Sequence, residues 1–349
     1  MTVRAVLTVD LRKISRNIEK IKEITKRDIY AVLKANAYGM GAVKIAQYTE
    51  KQIGGICVAT PQEGAELRRN GIKKPILVFD TFDSDDFAFC KSYDLIASIH
   101  SNEALQYLTK LNTDDIPKFS VAVDTGMNRF GLSYRADVRK DLSSSERKEK
   151  IVFLYTHYYK GEDEKAVEKQ RILFDYFYKN NFENTGVFAL LSADNSSSVF
   201  SGFSKYDFCR VGLGLYGFFE KGTEIAVRLT ARILLIKTVD RGQSVGYDAL
   251  YIAPSKKNIA VVSFGYADGY PVSLGGVGFV FVRGRRAPVV GKVCMDCLFI
   301  DVTEIPEAAV SDEVVVFGEE NFRNFSDNGV LLYVFLCGVG PRVLKKYLC

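Results

Sequence analysis

At 349 residues with 47% hydrophobic side chains, the chain has ample material for a core and is long enough for two structural units or one large barrel. Its 47 lysines and arginines against 42 acidic residues leave a net charge of only +5, spread along the chain rather than gathered into a basic stripe. That balance argues against nucleic-acid binding and for a small-molecule partner. The charged N-terminus MTVRAVLTVDLRKISRN does not read as a signal peptide, and no apolar run reaches membrane-spanning length, so a cytoplasmic protein without a membrane association is expected. Seven cysteines at irregular spacing read as scattered buried thiols rather than a disulfide framework.

Short β-rich runs recur through the first two thirds: AVLK from Ala31, GICVA from Gly55, PILVF from Pro75, LIASI from Leu95, FSVAVD from Phe119, IVFLYTH from Ile151, VFALLS from Val187 and FCRVG from Phe208. Their starts lie 20 to 36 residues apart, room for a crossover helix between strands. One such helix is signalled by TPQEGAELRRNGI, with Thr60 as N-cap, Glu63 three residues on as in a capping box, and Gly71 as the stop. Eight alternating units favour a (β/α)8 TIM barrel, an α/β fold, over an open doubly wound sheet, an arrangement the alternation by itself also permits.

Past residue 220 the helical spacing gives way to short strands such as ARILLIKTV, NIAVVSFGY, GFVFVRG, APVVGKVCMD and EVVVFG, separated by tight-turn residues. The expected organisation is a barrel over residues 9–220 and a mostly-β domain over residues 221–349, which residues 1–8 are free to join.

Several residues stand out chemically. Lys34 ends the first run, where a barrel strand delivers its side chain to the ligand-binding mouth. It reads either as a snorkelling surface lysine or, among apolar neighbours, as an amine nucleophile able to form a Schiff base. Arg210 sits in the apolar FCRVGLG and cannot shed its proton, so it needs an acceptor, either in a structural ion pair or in a ligand. DNSSS from Asp194 taken alone is an ordinary polar turn, and CMDC from Cys294 has too few ligands nearby for zinc, so no metal is expected.

The run AVLKANAYGMG resembles the cofactor-lysine motif of the alanine racemases, pyridoxal 5'-phosphate enzymes built from a barrel and a β domain. The likeness continues in chain order through ATPQEGAELRRNGI, VDTGMNRFGL, THYY, NSS, RVGLGLYG, VGYDALY, GYADGY, VGKVCMD and LLYVFLC. It implies that Lys34 carries the cofactor and serves as one catalytic base. Tyr38, Ser196, the backbone of Gly212 and Leu213, and Tyr333 would hold the cofactor phosphate, Arg210 would face the pyridine nitrogen, and His157 would lie beside that arginine. Tyr247, from the β domain of the partner in a head-to-tail homodimer, would be the second base on the opposite face. Arg129 and the backbone N–H of Met295 would bind the substrate carboxylate, with Tyr266 and Ala267 narrowing the entrance.

The activity so implied is interconversion of L- and D-alanine, supplying D-alanine for peptidoglycan. Three alternatives stay open: a racemase that also accepts serine, an amino-acid decarboxylase of the same fold, and a cofactor-carrying protein without turnover. The sequence also departs from the family pattern. Ala122 stands where relatives commonly have a carbamylated lysine that holds the substrate-binding arginine, leaving Arg129 in need of an anion, a water or the side chain of Asn128. Ser192 stands where a histidine near the cofactor ring is common, and Met40 replaces another histidine at a position to which no chemistry is assigned.

Overall fold

The computed structural model describes residues 3–219 and 222–349, in two compact units. The larger unit, Lys13–Ala37 with Ala42–Glu224, is the barrel. Its strands are Asp28–Val32, Gly55–Val58, Ile76–Val78, Ala97–Ile99, Phe119–Asp124, Ile151–Tyr155, Leu190–Ser192 and Phe208–Val211. Each runs parallel to the next, the third and fourth meeting through a Leu77–Ile96 bridge, and the eighth pairs back onto the first. Between the seventh and eighth, the Asp207 N–H donates to Leu191 O at 3.0 Å and the Arg210 N–H to Asp194 O at 3.2 Å, closing the ring.

Continuously buried strands such as Gly55–Val58 and Phe208–Val211 are what a parallel sheet covered on both faces requires. Inside the barrel, Tyr30, Phe153 and Phe208 pack against one another in edge-on and tilted contacts with ring centroids 4.3 to 5.2 Å apart. This aromatic plug is a packed floor, not a pore. The helix Pro61–Arg69 begins with the expected capping box between Thr60 and Glu63 and ends at Asn70, followed by Gly71 at φ +89°.

Two strands differ from expectation. The seventh starts at Leu190 rather than Val187, because Phe188 lies 95% exposed, outside the ladder. The first ends at Val32, two residues short of Lys34. There the chain enters a left-handed turn, with Ala35, Asn36, Ala37 and Tyr38 all at φ between 51° and 55°.

The smaller unit comprises the segment ending at Arg12, Tyr38–Gly41 and Ile225–Cys349. Strand Ala5–Asp10 pairs antiparallel with the long strand Val227–Val239 and parallel with Leu344–Leu348. Val227–Val239 is bulged between Ile233 and Leu235 and also pairs with Lys257–Val262 and Glu313–Phe317. Two short helices, Phe322–Asp327 and Leu332–Cys337, interrupt the β pattern. Tyr38–Gly41 is fixed within this unit: Met40 O accepts from the Tyr347 hydroxyl at 3.0 Å, and a Cβ on Gly39 would fall 2.2 Å from Leu336 O. All seven cysteines are free thiols. Among the described residues no helix is long and apolar enough to cross a membrane, and no cluster of metal-ligating side chains forms.

A left-handed turn of non-glycine residues costs about 1–2 kcal/mol per residue, so something must hold it. Glu63 does. One carboxylate oxygen accepts from the Ala35 N–H at 2.8 Å and the other from the Ala59 N–H at 2.8 Å, joining the turn after strand one to the end of strand two. Removing this acceptor by Glu63→Ala is expected to lower unfolding free energy by about 1–3 kcal/mol, read from urea midpoints, with Glu63→Gln losing less.

Candidate active site

Lys34, at the start of the left-handed turn, is partly buried. Its ammonium lies 6.0 Å from the centroid of Phe79, which packs on the aromatic floor, and makes no hydrogen bond or ion pair with a described residue. Next around the mouth, Asp80 and His100 follow the third and fourth strands. The fifth strand carries buried Ala122 and ends at Asp124, whose carboxylate accepts from the N–H groups of Gly126 and Asn128 at 2.9 and 3.1 Å. The resulting tight loop presents Arg129 to solvent without a hydrogen bond or salt bridge to a described residue. Asn128 does not support it: its side chain reaches Gly126 O instead, at 3.5 Å. Gly131 closes the loop at φ +126°, where a Cβ would fall 2.4 Å from the Asp124 nitrogen.

Across the barrel, Arg210 is 3% exposed yet forms no salt bridge with a described residue. Its guanidinium donates to Ser192 Oγ at 2.5 Å and to Thr156 O, and lies 4.9 Å from the Tyr155 ring centroid. The structural ion pair is therefore not what this arginine makes. Ser192 also donates to Phe208 O at 2.9 Å, so the serine that replaces a ring side chain serves as a clamp on Arg210. Burial pushes the Tyr155 phenol up to about 12, and it donates to Ser98 Oγ at 2.9 Å.

His157 follows the sixth strand. Burial, then the positive charges of Arg210, Arg129 and Lys34, push it from its ordinary value of 6.5 down to about 3, so it is neutral at pH 7. Beyond the seventh strand, Asn195 caps the short helix Ser196–Phe200, and Ser196 Oγ accepts from the N–H groups of Gly212 and Gly214, each at 3.2 Å. Leu213 follows immediately in a 3-10 turn. Ser196, Gly212 and Leu213 are thereby brought together after strands seven and eight, the recurrent phosphate cradle of barrels.

The other sequence-selected residues lie in the β unit. Tyr247 is 66% exposed between Gly246 at φ +76° and left-handed Asp248 and Ala249, and Asp248 is tied to Lys292 at 2.7 Å. Tyr266 and Ala267 donate their N–H groups to Cys294 O and Met295 O, both at 3.0 Å, so the GYADGY and CMD stretches form one double loop that leaves Tyr266 and Met295 exposed. Tyr333 is on the helix Leu332–Cys337, and Tyr38 ends the left-handed turn. Four residues of consequence escaped the sequence reading as site residues: Glu63, Asp80, Asp124 and Thr156. Only Glu63 carried a signal, as the capping-box acid whose second oxygen was unassigned.

Lys34, Arg210, His157 and the Ser196–Gly212 cradle fit a phosphorylated aldehyde: an unengaged amine, a buried cation and donors suited to a phosphate. Known proteins carry the comparison further. Residues 9–219 match the family described as Alanine racemase, N-terminal domain, and residues 226–347 that described as Alanine racemase, C-terminal domain. The chain is 33% identical to the alanine racemase of Halothermothrix orenii over 364 aligned positions, covering 97% of this chain and 95% of that one. The biosynthetic alanine racemase of Pseudomonas aeruginosa superposes with a TM-score of 0.90 at 30% identity over 99% of both chains. The alanine racemase of Bartonella henselae, solved with covalently bound pyridoxal phosphate, superposes with a TM-score of 0.89 at 26% identity, over 99% of this chain and 100% of that one. With both halves matched and the same barrel-plus-β architecture, the chain belongs to the alanine racemase family.

Proposed function

We propose that this protein interconverts L- and D-alanine with pyridoxal 5'-phosphate, using Lys34 and Tyr247 as bases on opposite faces of Cα, in a cytoplasmic head-to-tail homodimer that supplies D-alanine for peptidoglycan. The observation that carries the reading is the unengaged Lys34 amine in the same barrel mouth as a salt-bridge-free buried arginine and a neutral histidine. The bound cofactor supplies an aldehyde for the amine and an electron-withdrawing ring that makes the Cα proton removable.

The chain's own groups divide the remaining work. Ser196, the N–H groups of Gly212 and Leu213, Tyr38 and Tyr333 hold the phosphate. Arg210 would face the ring nitrogen; because a guanidinium does not release its proton, it would offer that nitrogen a donor without protonating it, which would favour return of the proton to Cα. His157, neutral at pH 7, adds no second charge there. Arg129 and the Met295 N–H bind the carboxylate. The Lys34 amine removes or returns the proton on one face and the Tyr247 phenol on the other, two fixed groups that need no reorganisation between faces. Tyr266 and Ala267 limit the width of the entrance, which favours a substrate as small as alanine; serine, one hydroxyl larger, is rejected only weakly by such a pocket.

The direct test is an absorbance spectrum of purified protein together with a chiral assay on small L-amino acids and a carbon dioxide assay. A cofactor band lost in Lys34→Ala, with D-alanine produced and no carbon dioxide released, is expected; carbon dioxide release would assign the decarboxylase instead. In Tyr247→Phe the cofactor band is expected to stay while Cα proton exchange falls by about 100-fold or more, unequally for the two enantiomers. Undiminished exchange from both would remove Tyr247 from the mechanism.

His157 also makes a stability prediction. Its folded-state value of about 3 lies below the 6.5 expected of the unfolded chain, so between these values the unfolded state binds the extra proton and stability falls as pH falls. Between pH 6.5 and pH 5 the native protein should lose about 2 kcal/mol more than His157→Asn, measured by urea unfolding at each pH.

A further inference from the structure

His100 is 4% exposed, and among the described residues neither ring nitrogen makes a well-formed hydrogen bond, although the backbone of Thr81 and of His100 itself lies close enough to favour the ring's N–H. A neutral imidazole carries a proton on one nitrogen, and leaving such a donor unmade when buried costs about 1–3 kcal/mol. A phenylalanine would fill the space without that cost. The ring is held between Phe82 and Phe130, each with its centroid 5.0 Å away. Phe130 directly follows Arg129, and the Gly131 N–H donates to His100 O at 2.8 Å. The loop that carries Arg129 is thus fastened to His100 by side chain and by backbone.

Asp80, two residues before Phe82 and just past the third strand, is partly buried, and the basic groups close enough to act on it are, in order, His100, Lys34 and Arg129. Burial pushes its carboxyl above the usual range, while that of His100 holds the imidazole below its ordinary value. Ala122, on the neighbouring fifth strand, has no polar group to offer Arg129.

We propose that Asp80 and His100 position Arg129: Asp80, delivered from the third strand two residues before Phe82, is its nearby counter-charge, and His100 fixes the Arg129 loop by packing on Phe130 and accepting from the Gly131 N–H. This rests on the reading of Arg129 as the carboxylate binder. Asp80 and His100 touch neither substrate nor cofactor in this scheme. They act through the arginine, and the support missing at Ala122 is supplied from the two strands before it.

The test uses the cofactor-loaded enzyme as Asp80→Asn, His100→Phe, Arg129→Lys and the double variant Asp80→Asn/Arg129→Lys. Readouts are KM and kcat for L-alanine, the Kd of propionate as a carboxylate lacking the amine, the cofactor absorbance and Tm. Asp80→Asn and His100→Phe are each expected to raise KM and the propionate Kd about 5- to 10-fold, with kcat within about threefold and the cofactor band unchanged. In the Arg129→Lys background, Asp80→Asn should add less than about twofold, because its effect passes through the arginine. Unchanged or lower KM and Kd in Asp80→Asn, which is isosteric, would overturn the proposal, as would full additivity in the double variant. If Arg129→Lys alone leaves KM and Kd unchanged, the carboxylate-binding reading falls and this inference with it; if Arg129→Lys raises both while Asp80→Asn does not, only the inference falls.

Discussion

The barrel mouth depends on a backbone conformation that its own sequence disfavours. Directly after Lys34 the chain makes a left-handed turn from residues that all carry a Cβ, Ala35, Asn36, Ala37 and Tyr38. Such a turn persists only when its surroundings over-determine it. Glu63 holds its beginning through the Ala35 N–H, Asn36 Oδ1 accepts from the Ala42 N–H at 2.8 Å to brace its middle, and Ala37 N–H donates to Leu33 O at 2.8 Å. A right-handed helix leaving the strand would aim its first side chain elsewhere. The turn that follows Lys34 is therefore anchored by a carboxylate 28 residues beyond Ala35.

Around that amine the barrel gathers positive charge and, among the described residues, sets no carboxylate in direct contact with Lys34, Arg129 or Arg210. Arg210 is buried against a hydroxyl, a carbonyl and an aromatic face; Arg129 stands in solvent on a loop pinned by Asp124; His157 stays neutral because of burial first and then the charges of Arg210, Arg129 and Lys34. A buried guanidinium matched to a carboxylate would present a nearly neutral pair to any ligand. Matched to Ser192 Oγ and Thr156 O, it keeps its charge available while its N–H groups remain satisfied.

The strands were legible because parallel barrel strands, buried on both faces, appear as apolar runs, and all eight runs found in the sequence correspond to strands here. The reading weakened where partners lie far apart in the chain. Ala5–Asp10 pairs with Val227–Val239 and Leu344–Leu348, partners that no local pattern specifies. LLYVFLC, an apolar run of strand length, forms the helix Leu332–Cys337, since short apolar runs carry no decisive period. At the site, Lys34 and Arg210 were conspicuous as charges in apolar segments, whereas Asp80 and Thr156 looked ordinary. Their importance comes from meeting, at the barrel mouth, groups far away in the chain, as Thr156 O does in accepting from Arg210.

Ser192 and Ala122 are alike in offering an arginine no charge: Ser192 gives Arg210 a neutral acceptor at 2.5 Å, and Ala122, on the strand that leads into the Arg129 loop, has an apolar side chain. A carboxylate or carbamate in direct contact stabilises an arginine but also competes with an anionic ligand for its N–H groups. Moving the counter-charge from contact to the distance of a neighbouring strand weakens that competition, because Coulomb attraction falls with separation while the directional hydrogen bond is lost altogether. The cost is orientation, since a guanidinium without a bonded partner samples more rotamers. A ring-clasped loop restores orientation by packing rather than by charge, and Phe82, His100 and Phe130, the residue that follows Arg129, pack on one another in that way.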